Sequence, residues 1–365
     1  MSQLEHEQVV IRTGRRSGLP VIVAVHSTAL GPAAGGCRIW RYAAWQDGLA
    51  DALRLSSAMT AKFAAAGLAC GGGKTVVALP EGFELTAERR REALLDVADV
   101  VESLGGLYAT GPDVGTSPQD MAVIGERTEY VFCKPAELGG SADSSPATAD
   151  GAVAALRAVG AVLRGTTTLA GLRVAVVGLG NVGGRVATTL AAQGAELVLS
   201  DIDPERRALA GELGAVWAEP GSALTAEVDV VVPAALGGVL TEELVPRLRC
   251  RAVAGPANNQ LAGPEVADLL AARGIVWVPD YIVSAGGVIH AIAVELDKQS
   301  EDEALERVLG IEGTVADLLA AARTQGGTPV AAAEELVRAR LGAARSRGVV
   351  GEPRRHDRRA AVAQP

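Results

Sequence analysis

Two lysines, Lys62 and Lys74, stand twelve residues apart in MTAK (59–62) and GGGKT (71–75). Glycine has no Cβ, so a run of three lets a ligand approach the backbone, and the lysine that follows can reach the ligand's polar end. Two ammonium groups aimed into one cleft repel and lose hydration. One pKa then falls, and that lysine becomes a usable base. A surface loop with two hydrated lysines has the same spacing, so the choice turns on further groups. Asp113 in TGPDVGT (110–116) offers an acceptor carboxylate, and ANNQ (257–260) offers side-chain amides. The histidines are His6, His26, His290 and His356, and no Ser/His/Asp set accompanies them, so a hydrolase triad has no support. His26, at a strand end, reads as a structural histidine.

A second constellation is VGLGNVG (177–183), which follows an apolar strand and precedes a helical pattern. Gly178 permits the tight turn, Gly180 lets a pyrophosphate approach, and Gly183 lets helix pack on strand, while the helix N-terminus supplies amide donors. Asn181 and Val182 open that helix. Asp201 ends the next strand, about twenty residues on, where a carboxylate bonds ribose hydroxyls and repels a 2′-phosphate. Ile202 and Asp203 add no arginine beside it, so the expected cofactor is NAD rather than NADP.

These residues need a scaffold, and the apolar pattern sketches one. A strand is read at 20–25, a helix at 46–66, a strand at 75–79, and a helix over 88–104 capped by Thr86. LGGSADSSP (138–146) is a polar break, placing a domain boundary there. Helix 149–163 and strands at 172–178, 196–199, 228–232, 252–254 and 275–278 then follow the rhythm of a doubly wound parallel sheet. Helical patterns return at 289–296, 303–322 and 331–343. The expected fold class is α/β with two domains. Residues 1–143 form an α/β substrate and oligomerisation domain, rejoined by a C-terminal helix at 328–344. Residues 144–327 form a Rossmann-type NAD-binding domain, and 345–365 a disordered tail.

The 365 residues carry a net charge of −9, which argues against nucleic acid as a partner. Aromatic residues make up only 3%, so the core should be aliphatic. The start has no apolar signal region, and no uninterrupted apolar stretch reaches membrane-spanning length. Cys37, Cys70, Cys133 and Cys250 form no CxxC pair, which offers no metal site and fits reduced thiols. Cys70 reads as a packing residue. The expectation is a cytoplasmic protein without bound metal, not engaged with membranes.

The motifs together resemble the Glu/Leu/Phe/Val amino-acid dehydrogenase family, within it the leucine/valine/phenylalanine dehydrogenase branch. The likeness runs over roughly residues 18–300: HSTALGPAAGGCRIW (26–40), MTAKFAAAGLACGGGKTV (59–76), TGPDVGTSPQDM (110–121), SSPATADG (144–151), VAVVGLGNVG (174–183), PAALGG (233–238), AGPANNQL (254–261) and PDYIVSAGGVIH (279–290). The resemblance implies that an L-2-amino acid, oxidised NAD and water give a 2-oxo acid, ammonia and NADH. It assigns Lys62 to the substrate carboxylate, Lys74 to activation of water, and Asp113 to the proton on the amino nitrogen. It gives Gly36 and Asn259 further substrate contacts. To the cofactor side it adds Thr148, Ala235, Asn258 and Ser284. It also implies a homo-oligomer through the first domain, and a cleft closing on hinges near 139–150 and 285–330. Three positions depart from the family pattern: Ser284 replaces an asparagine, Asp150 an aromatic residue, and Ala34 a larger apolar one.

By the same resemblance the side-chain pocket is lined near Ala34, Gly35, Gly111, Val288 and Ala291. Small linings leave volume, so an aromatic substrate, phenylalanine or tryptophan, is expected ahead of a branched-chain one. Neighbouring side chains that refill the space would reverse that order. A catalytically silent NAD-binding protein is the competing reading, and intact Lys62, Lys74 and Asp113 argue against it. A hydroxy-acid dehydrogenase would want a His–carboxylate pair, which is absent from the sequence pattern.

Overall fold

The computed structural model describes residues 5–346. It divides into two units, one running to Ala142 and resuming at Arg338, the other Asp143–Val337. In the first, β1 (Gln8–Thr13), β2 (Pro20–Ser27), β3 (Ala33–Arg41), α1 (Trp45–Ala65), β4 (Gly71–Leu79), α2 (Ala87–Glu102), β5 (Tyr108–Pro112) and α3 (Pro118–Gly125) follow in order. The sheet order is β1-β2-β4-β3-β5. β2 runs antiparallel to β1 and β4, whereas β3 is parallel to β4 and β5.

Alternation along the strands gives this sheet two apolar faces. Val21, Val23, Cys37, Val77 and Tyr108 pack with Val97, Val101 and Met121 of α2 and α3. Ile22, Ala24 and Val76 pack with Ala52 of α1. Central β4 is covered on both sides, and all nine of its residues are buried.

The glycine run expected as a ligand-facing loop is therefore strand, and its bareness serves packing. A Cβ at Gly72 would lie 2.5 Å from the Ser56 carbonyl oxygen and nearer still to the backbone of Thr60, both on α1. At Gly73 it would meet the Tyr108 ring at 2.5–2.6 Å. Beneath them, the Thr75 hydroxyl donates to Tyr108 (3.0 Å) and Tyr108 donates to Thr110 (3.1 Å), linking β4 to β5.

The second unit contains α4 (Ser145–Arg164), β6 (Arg173–Val177), α5 (Asn181–Ala192), β7 (Glu196–Ser200), α6 (Arg207–Glu212), β8 (Val216–Trp217), β9 (Val230–Pro233), β10 (Ala252–Val253), α7 (Glu265–Ala272) and β11 (Val276–Trp277). The sheet is parallel throughout, in the order β11-β10-β9-β6-β7-β8. The chain winds outward from β6 through β7 and β8, then from β9 to the other edge. The order reverses between β6 and β9, where ligands bind in such sheets. α4 is long and apolar enough by composition to cross a membrane, but most of it is buried, packed on neighbouring helices.

α8 (Asp280–Val283), α9 (Gly286–Ala291) with a π-helical continuation Ile292–Leu296, α10 (Glu301–Leu309), α11 (Ile311–Gln325) and α12 (Pro329–Ser346) complete the chain. The single helix expected over 303–322 is two, meeting at Gly310, and Ser300 with Glu303 caps the first. The Arg340 guanidinium of α12 donates to the carbonyls of Ala64 (2.7 Å) and Ala65 (2.8 Å), closing the C-terminus of α1. The expected tail lies, from residue 347 on, outside the described residues.

Gly72→Ala is expected to cost about 1–3 kcal/mol in urea denaturation, since the new methyl meets helix backbone. Gly313→Ala, inside α11 with open space around it, should instead gain about 0.5–1 kcal/mol. Equal effects of the two changes would refute this account of the glycine run.

Candidate active site

On the α1 side of the first sheet, β3 presents Ala34, Gly36 and Arg38, β4 presents Gly72 and Lys74, and β5 presents Gly111 with Asp113 just beyond. Lys74 is 4% exposed, and its Nζ lies 2.8 Å from Asp113 Oδ2. Arg38 Nε donates to the same oxygen at 2.8 Å. The Arg38 guanidinium reaches on to Asp51 of α1 (2.7 Å), which also accepts from Tyr42 (2.8 Å) and Arg54 (2.6 Å). Arg38 is the member that sequence reasoning missed. Its signal was the alternation Ala34–Gly36–Arg38, legible only once β3 is read as a strand.

The Asp113 turn is fastened on both sides. Val114 O accepts from Ile39 N (3.1 Å), the Thr116 hydroxyl accepts from Asp113 N (2.9 Å) and donates to Cys37 O (2.8 Å). Gly115, at φ +82°, lies against the Ile39 carbonyl where a Cβ has no room. Arg90 of α2 then grips Asp120, which shares a capping box with the N-cap Ser117 of α3, with two bonds of 2.8 and 2.6 Å.

Burial pushes the Lys74 ammonium below the ordinary lysine value, against the pull of Asp113, and the Arg38 charge adds to the depression. Of the two causes anticipated, lost hydration comes first, and the repelling cation is Arg38. Burial opposes ionisation of Asp113 too, but Lys74 and Arg38 outweigh it and hold that carboxyl below its usual range.

The substrate-side residues divide. Lys62 lies half-buried in the last turn of α1, and Gly36 touches the centre: a Cβ there would stand 3.2 Å from Lys74 Nζ and 2.7 Å from Asp113 Cβ. Gly35 instead turns to the opposite face, where its carbonyl accepts from Tyr108 at 3.4 Å, because strand residues alternate. The volume expected beside Gly111 is filled by the Phe132 ring, two of whose carbons lie 2.7 and 2.9 Å from where a Cβ would be. Ala34 and Ala291 are fully buried; Val288 and Ala291 belong to α9 in the second unit. Asn259 takes φ +54° in the loop after β10. Gln260 pins that loop: its side chain donates to the carbonyls of Gly255 (2.6 Å) and Ala257 (3.1 Å) and accepts from Trp277 (3.1 Å).

In the second unit, the three loop glycines differ in their surroundings. Gly178 has φ +99°, and a Cβ would lie 2.5 Å from that of Ala235. At Gly183 a Cβ would strike the Gly178 carbonyl, whereas at Gly180 nothing lies within 4 Å. Gly180 is the N-cap of α5 without a side-chain cap, so Asn181 and Val182 begin a helix whose first amides face that open ground. The Asp201 carboxylate, from the end of β7, accepts from Leu179 N and Asp203 N (2.9 Å). The open side of Gly180, the helix amides and this carboxylate fit a dinucleotide. Ser284 donates to Asn258 Oδ1 at 3.2 Å, holding two expected cofactor residues together. The Thr148 hydroxyl donates to Ser144 O (2.8 Å) and abuts Gly287, where α9 crosses α4. Asp150 is half-buried on α4, and among the described residues no cluster of His, Cys, Asp or Glu could hold a metal.

Gly180→Ala is expected to weaken NADH binding about tenfold, read by fluorescence titration, with the thermal midpoint unchanged. Gly178→Ala should lower the midpoint instead, because both its φ and its neighbour forbid a methyl.

Comparison with known proteins agrees with this geometry. Residues 5–130 match the Glu/Leu/Phe/Val dehydrogenase dimerisation domain, and 204–307 match the glutamate/leucine/phenylalanine/valine dehydrogenase domain. A leucine dehydrogenase of Bacillus cereus is 38% identical over 343 residues, 93% of this chain and 92% of its own. A valine dehydrogenase of Streptomyces albus is 40% identical over 346 residues, 94% of each chain. The crystal structure of L-tryptophan dehydrogenase from Nostoc punctiforme superposes with a TM-score of 0.83 at 34% identity, covering 94% of this chain and 98% of that one. A buried lysine–aspartate centre on one sheet, a dinucleotide loop on another and likeness over nearly the whole length lead to one conclusion: the chain belongs to the glutamate/leucine/phenylalanine/valine dehydrogenase family and is an amino-acid dehydrogenase, an oxidoreductase acting on CH–NH2 with a nicotinamide cofactor.

Proposed function

We propose that the enzyme is NAD-dependent and reversibly deaminates an apolar L-amino acid, an aromatic one in preference, to its 2-oxo acid, ammonia and NADH. The observation that carries the chemistry is the buried Lys74 ammonium held 2.8 Å from Asp113. Bound at the loop that opens α5, NAD would supply the acceptor for the hydride leaving the substrate Cα. Lys62 binds the substrate carboxylate, and Asn259 and Gly36 orient the substrate. Lys74, with its pKa depressed, takes a proton from the attacking water and faces the carbon under attack. Asp113 moves the proton to and from the amino nitrogen, kept ionised by its two cations. NAD rather than NADP is supported by Asp201, whose carboxylate follows β7 and accepts from Leu179 N in the glycine loop, since a carboxylate there repels a 2′-phosphate. Arg206, the nearest arginine in sequence, is turned to Asp203 at 3.6 Å. Asn258, Ser284, Thr148 and Ala235 complete the cofactor side.

The aromatic preference is supported by the small side chain of Ala34 on the Lys74 face of the sheet and by likeness to a tryptophan dehydrogenase. A branched-chain reading is favoured by one observation, the Phe132 ring in the space beside Gly111. We also propose a homo-oligomer, on the matched dimerisation domain, and a cytoplasmic location, on four buried thiols outside disulfides.

The test is ammonium-dependent NADH oxidation with phenylpyruvate, indolepyruvate, 4-methyl-2-oxopentanoate, 3-methyl-2-oxobutanoate and 2-oxoglutarate. Fastest turnover with the aromatic acids supports the reading, and fastest turnover with a branched acid replaces the substrate while keeping the reaction. Lys74→Ala should lower kcat by roughly 10²–10⁴-fold with NADH affinity retained. Arg38→Gln removes a positive charge that lowers both pKa values, so both rise and the acidic limb of the kcat/KM profile moves to higher pH. An unmoved limb in a folded variant would remove Arg38 from the centre.

A further inference from the structure

Four chain positions line up across the first sheet at the level of the reacting groups. Gly36 and Gly111 are register partners on β3 and β5. Lys74 lies on the neighbouring strand between Gly72 and Thr75, the partners of Ala34 and Cys37. Beyond β5, Thr110 N donates to Tyr130 O and Phe132 N to Thr110 O, both at 3.0 Å, so residues 130–132 run alongside as a further short edge. A bridge pairs Thr110 with Val131. Phe132 therefore stands level with Gly111 and on the Lys74 face of the sheet.

The two middle members of this row are glycines, and the outer two lean inward over them. The Lys74 ammonium lies 3.2 Å from where a Gly36 Cβ would stand, and the Phe132 ring lies within 2.9 Å of the Gly111 position. The ring is 4% exposed, so it is wedged against the Gly111 backbone. A methyl at 111 and this ring cannot both occupy the site without a shift. Glycine at 111 thus seats an aromatic side chain of the protein, one strand over from Gly36 and on the sheet face that holds Lys74.

We propose that Phe132 is a specificity-determining residue, its ring setting the upper size of substrate side chain beside the reacting carbon. The inference rests on the amino-acid dehydrogenase reading, though not on the aromatic preference. Removing part of the ring opens volume, and volume in an apolar pocket shifts selectivity by about 10–200-fold per methylene-scale change. The direction is towards bulkier substrates, whichever acid the wild-type enzyme prefers.

The experiment compares wild type, Phe132→Ala and Phe132→Leu by kcat/KM in reductive amination of indolepyruvate and of 3-methyl-2-oxobutanoate. The ratio of the first to the second should rise at least tenfold in Phe132→Ala and by a smaller factor in Phe132→Leu. A ratio unchanged within twofold, or lowered, in folded variants overturns the proposal. Truncation of a buried ring leaves a cavity and is among the costlier core changes, so if Phe132→Ala does not fold, Phe132→Leu decides alone. A wild-type enzyme inactive with all the acids would instead sink the functional reading, and a branched-chain ranking in wild type would overturn only the aromatic preference. As an independent readout, Gly111→Ala should lower the thermal midpoint less in the Phe132→Leu background than in wild type. Equal losses in both backgrounds would show that the ring is not seated on Gly111.

Discussion

An ammonium group enclosed in protein is costly, by several kcal/mol even after relaxation, unless a counter-charge and hydrogen bonds accompany it. Lys74 is enclosed in that way, and much of the first unit follows from keeping it usable. Asp113 supplies the counter-charge, and it too needs support, since its own burial favours the neutral acid. Arg38 supplies that, and Asp51 answers Arg38 in turn. The charges alternate from Lys74 through Asp113, Arg38 and Asp51 to Arg54, whose side chain is 61% exposed. The chain of pairs thereby carries the electrostatic demand of one buried group out to solvent. A lysine solvated at the surface would need none of this, and would keep the high pKa that makes it a poor base at neutral pH.

Placing such a centre on a sheet also demands room. The sheet face that holds Lys74 would ordinarily carry side chains on the next two strands, β3 and β5, and at Gly36 and Gly111 it carries none. One vacancy admits the ammonium and the other admits Phe132. On β4 itself, Gly72 lets α1 come down onto the strand, which fixes the helix whose last turn bears Lys62. Packing and chemistry are thus coupled through the same missing methyl groups, and small changes there should be felt in both.

The parts of this organisation that sequence pattern revealed are those with strong periodicity or a mechanism attached. β2, α1, α2 with its Thr86 cap, α4 and β6 were legible because apolar spacing marks them, and the glycine loop because each glycine has its own reason. β1, β3 and β5 were not. The segments AAGGCRIWR and YATGP lack the β-branched alternation of an ordinary strand, because glycine and alanine stand where the site needs space. Missing β3 hid Arg38, and it left Gly35 grouped with Ala34 as a pocket lining, since only the strand period separates their faces. Phe132 gave no signal at all: the Thr110–Val131 bridge that brings its ring level with Gly111 lies outside any named strand.

That failure has a general physical content, visible when the motif glycines of the two sheets are set side by side. A glycine in a motif says that something comes close, without saying what. At Gly72 it is a helix backbone, at Gly73 and Gly111 an aromatic ring of the protein, at Gly178 and Gly183 the turn's own neighbours. At Gly36 it is a reacting side chain. Of the motif glycines at 36, 72, 73, 111, 178, 180 and 183, Gly180 alone has open space where its Cβ would be, and it begins a helix whose first amides have no side-chain cap. Vacancy plus unanswered donors marks a place for a ligand's phosphates, whereas vacancy already filled by protein marks a packing solution. By that distinction the first sheet's bare face is not an empty pocket of the size its small residues suggest. What volume remains there for a substrate is set by the ring laid across it.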